Sequence, residues 1–189
     1  MKYIALALAA STVPANAVTV VGATKVTVTN ALNTWLQVAE LQAFNFSSVN
    51  VALASNGASA TGTGGTYDVY STPAKAIDGN TEGGYYTDTI FHPAVEMGTQ
   101  LDITFPGAKN LQSLTIFGRT DCCSNRDSYN VTVFGGQTVL YSGKLDAFGA
   151  SATIVFDAIP EPQTWAMLVT GFGLVGAGMR RRQRAAIAA

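Results

Sequence analysis

The chain has 189 residues, 48% hydrophobic and 12% charged, with 19 glycines, which is enough for one domain with its own core. A formal charge of -1 leaves no broad basic face, and that excludes nucleic acid as a partner. Residues 1–17 read as a signal peptide. Lys2 supplies the basic n-region, 3–10 the apolar run, and Ala15-Asn16-Ala17 the small-x-small cleavage pattern. The competing reading is a buried N-terminal helix, which Pro14 would end early.

Residues 18–159 form the expected functional domain and read as β throughout. Val26 and Val28 alternate with polar neighbours, as do Leu101, Ile103 and Phe105, and then Leu114 and Ile116. Val131 and Val133 lead into Gly135-Gly136, with Val139 and Tyr141 beyond. Paired glycines supply the positive φ of a tight turn, so this is a hairpin signal. A last short strand is expected over 153–156, and the Gly, Ser, Ala and Thr-rich stretch 54–72 is expected to be loop. Short strands without helical periodicity predict an all-β fold, an antiparallel β-sandwich.

The C-terminal segment 160–184 opens with Pro160-Glu161-Pro162, continues as an apolar run over 165–179, and closes with Arg180, Arg181, Arg182 and Arg184, leaving 185–189 as a tail. At ~1.5 Å rise per residue the run spans roughly 22 Å, short of the ~30 Å hydrocarbon core, so it is a marginal membrane helix with its arginines cytoplasmic. The segment resembles the PEP-CTERM sorting signal. That resemblance implies cleavage by an exosortase-type membrane protease and release to the cell surface or extracellular matrix; a permanent tail anchor is the alternative. Gly171, Gly173 and Gly176 match G-x-G-x-x-G, but no strand precedes them, so small residues in a membrane helix explain them better than a dinucleotide site.

The chemistry concentrates in Arg119-Thr120-Asp121-Cys122-Cys123-Ser124-Asn125-Arg126 and in the sole histidine, His92. Guanidinium groups present planar forks of donors suited to hydroxyl pairs and a ring oxygen. Asp121 lies where it can accept from a guanidinium, which would orient that group and keep the carboxylate ionised. That makes it a poor general acid, and no second carboxylate completes a glycosidase pair. Cys122 and Cys123 admit three readings: a vicinal disulfide, intermolecular disulfides, or free thiols. Adjacent Cα atoms lie ~3.8 Å apart, below the usual disulfide range, so a vicinal bridge would make a stiff, kinked loop.

Twenty-six residues separate His92 from Arg119, and four separate Asp121 from Arg126. The pattern resembles the sugar-binding motif of the F-type lectins, His-x26-Arg-x-Asp-x4-Arg, with the cysteine pair directly after the aspartate. The resemblance implies a galactose-binding-like β-sandwich and a ligand of the L-fucose type. It implies that His92, Arg119 and Arg126 bond the ring oxygen and hydroxyls, that a Cys122–Cys123 disulfide packs on the ring, and that Tyr85 or Tyr86 shelters the methyl group. It also implies a structural Ca2+. Ala76-Ile77-Asp78-Gly79-Asn80 is similar to the family's calcium turn, so the Lys75 carbonyl, Asp78, Asn80 and Thr89 would be ligands; without the family, Asp78-Gly79-Asn80 is a plain turn.

The family's remaining calcium strand is expected near the end of the domain, yet its match here is Leu36-Gln37-Val38-Ala39-Glu40-Leu41, while Asn50-Val51-Ala52-Leu53 resembles the family's opening strand. A circular permutation would account for this order and would add the Ala39 carbonyl and Glu40 to the calcium set. The family's tryptophan-rich stretch after the histidine is replaced by Pro93-Ala94-Val95-Glu96-Met97. The expected function is an exported fucose-type lectin. The alternatives are a structural matrix protein that leaves the sandwich site unused and an enzyme, the latter disfavoured by the missing carboxylate pair.

Overall fold

The computed structural model describes residues 18–156 and 169–173. The chain divides into two units, Met1–Asp157 and Ala158–Ala189. In the second, 169–173 is helical, and the rest of the expected sorting segment lies outside the described residues, as does the expected signal peptide 1–17. Among the described residues no helix is long and apolar enough to cross a membrane.

Among the described residues the first unit is all-β, with seven strands: β1 Val20–Asn30, β2 Glu40–Asn45, β3 Ser59–Gly62, β4 Gln100–Phe117, β5 Ser128–Gly135, β6 Thr138–Asp146 and β7 Ser151–Val155. The pairing path runs β2-β4-β1-β5-β6, with β3 and β7 also on β4. Every ladder between them is antiparallel, consistent with an all-β sandwich.

β4 is the organising strand. Its first half pairs with β1 and β3 through Leu101, Asp102, Ile103 and Thr104; its second half pairs with β2 and β7 through Leu114, Thr115, Ile116 and Phe117. The alternation of the sequence suggests two strands, 101–105 and 114–116, but the backbone is continuous through Pro106 and Gly107. Proline lacks a ladder donor and glycine, here at φ +103, accepts the bend, so the two form a corner rather than a break. The β1–β4 register shifts on either side of Ala23, opposite this corner.

Alternation places Val26, Val28, Leu101, Ile103, Val131 and Val133 in the core, with Leu41, Ala43, Leu114 and Ile116 in the same cluster. Each buried valine, leucine or isoleucine among them stabilises the fold by roughly 1.5–3 kcal/mol. The expected hairpin is present: β5 and β6 meet at Gly135↔Thr138, with Gly136 at φ +62 in the turn.

Two local expectations fail. The stretch 54–72 is not all loop, because 59–62 forms β3 on the edge of β4; backbone hydrogen bonding makes this strand without an apolar side-chain pattern. Asn50-Val51-Ala52-Leu53 is not a strand: Asn50 makes one isolated bridge to Phe44 and its side-chain Oδ1 then accepts from Ala52 N at 3.1 Å, closing a turn. Between β3 and β4 the stretch 63–99 contains the 3-10 turn Pro73–Ile77 and a single bridge residue, Phe91, which pairs with Val38. Long connections of this kind usually carry function.

Candidate functional site

Three segments converge on one cavity of about 270 Å³. The connection after β1 brings Trp35, and the long 63–99 stretch brings Tyr67, Tyr85, Tyr86 and His92. The loop after β4 brings Arg119, Cys122 and Arg126. The volume lies just under the roughly 300–1,000 Å³ of pockets for drug-sized ligands, which suits a single small ring.

His92 is held from several sides. The Phe91–Val38 bridge anchors the preceding residue, and the ring sits 5.0 Å from Trp35, 4.7 Å from Tyr67 and 5.6 Å from Tyr85, centroid to centroid. Its Nδ1 lies 2.9 Å from the Pro93 carbonyl. A carbonyl only accepts, which assigns the proton to Nδ1 and leaves Nε2 of the neutral ring as an acceptor. Burial lowers the His92 pKa, and the charges of Arg119 and Arg126 lower it further. A neutral His92 can therefore accept a hydrogen bond through Nε2, whereas the two arginines can only donate.

Arg119 is 5% exposed and donates through Nε to Asp121 Oδ1 at 2.5 Å. Its guanidinium carbon stands 4.9 Å from the Tyr85 ring centroid and 5.8 Å from that of Tyr86. Asp121 Oδ2 accepts from Tyr86 N at 3.1 Å, so one carboxylate ties the Arg119 side chain to the 85–86 segment. Burial opposes ionisation of Asp121, but the Arg119 and Tyr86 donors outweigh it and hold its pKa below the usual carboxylate value. The Arg126 side chain makes no hydrogen bond or ion pair among the described residues. Its donors remain open.

Cys122 and Cys123 are bonded to each other, with Cα atoms 3.8 Å apart. Cys122 lines the cavity; Cys123, at φ 58, starts the 3-10 turn Ser124–Arg126 that carries Arg126. Thus His92, Arg119, Arg126, Cys122, Tyr85 and Tyr86 share the cavity wall, and Asp121 and Cys123 stand behind it as supports.

Trp35, Tyr67 and Asp68 join the site without having been singled out from the sequence. Trp35 and Tyr67 contact edge-on at 5.8 Å, and Tyr67 and Tyr85 likewise at 5.7 Å. Asp68 Oδ2 accepts from Tyr85 Oη at 2.9 Å, while Oδ1 caps the backbone at Tyr70 and Ser71. Large aromatics set among glycine, serine and threonine are the signal that could have found Trp35 and Tyr67, since loops seldom carry such side chains without a surface to build.

Behind Arg119 lies a buried polar cluster. Asp127 is fully buried; its Oδ1 lies 3.1 Å from Tyr129 Oη and its Oδ2 has no hydrogen-bond partner. Tyr129 Oη donates its one proton to the Gln37 carbonyl at 2.6 Å, and the Gln37 side-chain amide is buried without a partner. Burial pushes the Asp127 carboxyl up to about 7. Gly118 is required here, because a Cβ would collide with the Asp127 carboxylate.

Of the second expected constellation, Glu40 meets the turn that carries Asp78 and Asn80. Glu40 is fully buried at the start of β2, directly after Ala39, and its Oε2 accepts from Gly79 N at 3.2 Å. Its Oε1 has no partner, and burial, reinforced by the Asp78 charge, pushes its pKa up to about 7. Asn80 N donates to Asp78 Oδ1 at 2.8 Å, Glu82 N to Asn80 Oδ1 at 2.9 Å, and Thr89 Oγ1 to the Glu82 carbonyl at 2.6 Å. One hydrogen-bonded loop thus links Asp78, Asn80 and Thr89, and Lys75 lies in the 3-10 turn that leads into it. No three side chains of His, Cys, Asp or Glu converge among the described residues. What the structure shows is one buried carboxylate oxygen without a partner, on Glu40, beside the charge of Asp78, a pair of hard oxygen groups of the kind that suits a hard cation.

No family profile, curated protein or solved structure matches this chain.

Proposed function

We propose that the protein is an exported lectin of the F-type, with a galactose-binding-like sandwich permuted relative to the family's usual order, that holds a fucose-type sugar. One observation carries the reading: His92, Arg119 and Arg126, widely separated along the chain, share one aromatic-walled cavity with Cys122. Arg119, oriented by Asp121, and the open fork of Arg126 donate to the ring oxygen and to hydroxyls, while His92 Nε2 accepts from a hydroxyl. Trp35, Tyr67, Tyr85 and the disulfide supply apolar faces for ring carbons and a methyl group.

The site holds rather than cuts. Asp121 is committed to Arg119 and Tyr86 N, and Asp68 to Tyr85 and its own turn, so no carboxyl pair stands free to flank a glycosidic bond. Ca2+, when bound by Asp78, Asn80, Thr89, the Lys75 and Ala39 carbonyls and Glu40, would neutralise two carboxylates and fix the loop that carries the aromatics. The 160–184 segment would deliver the chain to the membrane, where an exosortase-type protease releases it to the surface.

Titration of the full chain with methyl α-L-fucoside tests the reading. We expect saturable binding in the millimolar to micromolar range, roughly 4–8 kcal/mol. Arg126→Ala should weaken it at least about tenfold, the worth of a charged hydrogen bond. An intact protein that shows no saturable binding would instead favour an unused sandwich in a structural matrix protein.

A further inference from the structure

A second cavity, of about 280 Å³, lies on the outer face of the sheet beside the aromatic one. Its floor is a row across three strands. Thr29 of β1 is in register with Gln100 of β4 on one side and with Asn130 of β5 on the other. Their sequence neighbours Val28, Leu101 and Val131 are buried, so period-two alternation turns this row toward solvent. Asn30, Asn33 and Thr34 form one wall, and Gly98 and Thr99 the opposite one.

The lining is uncharged and rich in amides and hydroxyls. The side chains of Thr29, Asn33 and Asn130 make no hydrogen bond among the described residues, so their donors and acceptors are open. The charges nearest the cleft are already engaged, Asp102 with Lys25 and Gln100, Glu96 with Thr34 and Lys144 with Asp146, so an ionic ligand would have to displace these partners, and an apolar one would strand the open amides and hydroxyls. A neutral polyhydroxylated ligand matches them, because each hydroxyl both donates and accepts, as amides collectively do.

The two cavities are neighbours on either side of Asn30. Its Nδ2 donates to the Arg126 carbonyl at 2.8 Å and to the Trp35 carbonyl at 3.0 Å, and Arg126 and Trp35 both line the aromatic cavity. Thr34, on the cleft wall, immediately precedes Trp35. From this shared wall we infer that the neutral cleft is a second carbohydrate subsite, taking the sugar residue linked to the one held by His92, Arg119 and Arg126. The inference rests on the lectin reading above and adds that the protein recognises an oligosaccharide rather than a terminal monosaccharide.

Titrations of the full chain with methyl α-L-fucoside and with a panel of α-fucosylated lactose and lactosamine oligosaccharides test it, for the parent protein and for Asn130→Ala and Thr29→Val. At least one oligosaccharide should bind about 5- to 10-fold more tightly than methyl fucoside, the worth of one or two net hydrogen bonds. Asn130→Ala should remove most of that gain and Thr29→Val part of it, both leaving the methyl fucoside Kd unchanged. No gain with any oligosaccharide, or a gain that survives both substitutions, overturns the subsite while sparing the lectin. Loss of all binding in the parent protein, monosaccharide and oligosaccharides alike, overturns both.

Discussion

His92 shows how one side chain's surroundings select its chemistry. Enclosed by Trp35, Tyr67 and Tyr85 and facing two guanidinium groups, it is held neutral below its ordinary range, with Nε2 as an acceptor. The unfolded chain takes up a proton near pH 6.5, whereas the folded His92 resists until lower pH. Stability from this residue is therefore complete above that range and is lost as pH falls through the folded value. Affinity for methyl fucoside should accordingly stay flat from about pH 8 to about pH 6.5 and decline below, because imidazolium can no longer accept a hydroxyl. A series of titrations across that range checks it, and His92→Gln, which keeps a neutral acceptor, should flatten the acid limb.

At the scale of elements, the end of β4 and the start of β5 are joined by a loop whose position depends on a buried carboxyl. Asp127 faces Gly118, the Tyr129 hydroxyl and the Arg119 backbone, and its pKa is raised to about 7 chiefly by burial. The folded state then binds a proton that the unfolded state releases near pH 4. Stability should fall as pH rises from about 4 to about 7 and level off above. Asp127→Asn, which fills the same space without charge, should remove the Asp127 share of this slope, leaving the share of Glu40, also raised to about 7, and should raise stability at pH 8 by on the order of 2–4 kcal/mol, read from urea denaturation at several pH values.

For the whole molecule, the connection 63–99 serves two places at once: Tyr67, Asp68, Tyr85 and His92 at the cavity, and Asp78, Asn80 and Thr89 beside Glu40. A cation held there would stabilise the folded chain by mass action, about 2.7 kcal/mol when its concentration is a hundredfold above Kd. Chelation should lower Tm by several degrees, with Ca2+ restoring it and Glu40→Gln abolishing the response. Proton and cation compete for Glu40, so the calcium effect should grow as pH rises through about 7. The intact mass of the protein recovered from its native cells checks the two ends: on the proposed reading, loss of 1–17 and of the chain beyond Pro160-Glu161-Pro162 is expected, and a mass retaining the 165–179 run would identify a permanent anchor.

Much of this was written locally in the chain. Alternation at Val26 and Val28, at Leu101 and Ile103, and at Val131 and Val133 marked core strands, because a pleated strand buries every second residue whatever its partners are. The spacing of His92, Arg119, Asp121 and Arg126 marked one candidate site, and the adjacency of Cys122 and Cys123 limited their pairing within the chain to each other. Only the tertiary structure decided that Trp35 and Tyr67 would wall that site, that Asp127 and Gln37 would be buried behind it, and that 59–62 would become a strand. It also decided that Gln100, Thr29 and Asn130 would lie in one row. The reason is physical. Periodicity records which face of an element is apolar, whereas these arrangements follow from strand register, backbone pairing and loop closure, which join residues with no fixed relation along the sequence.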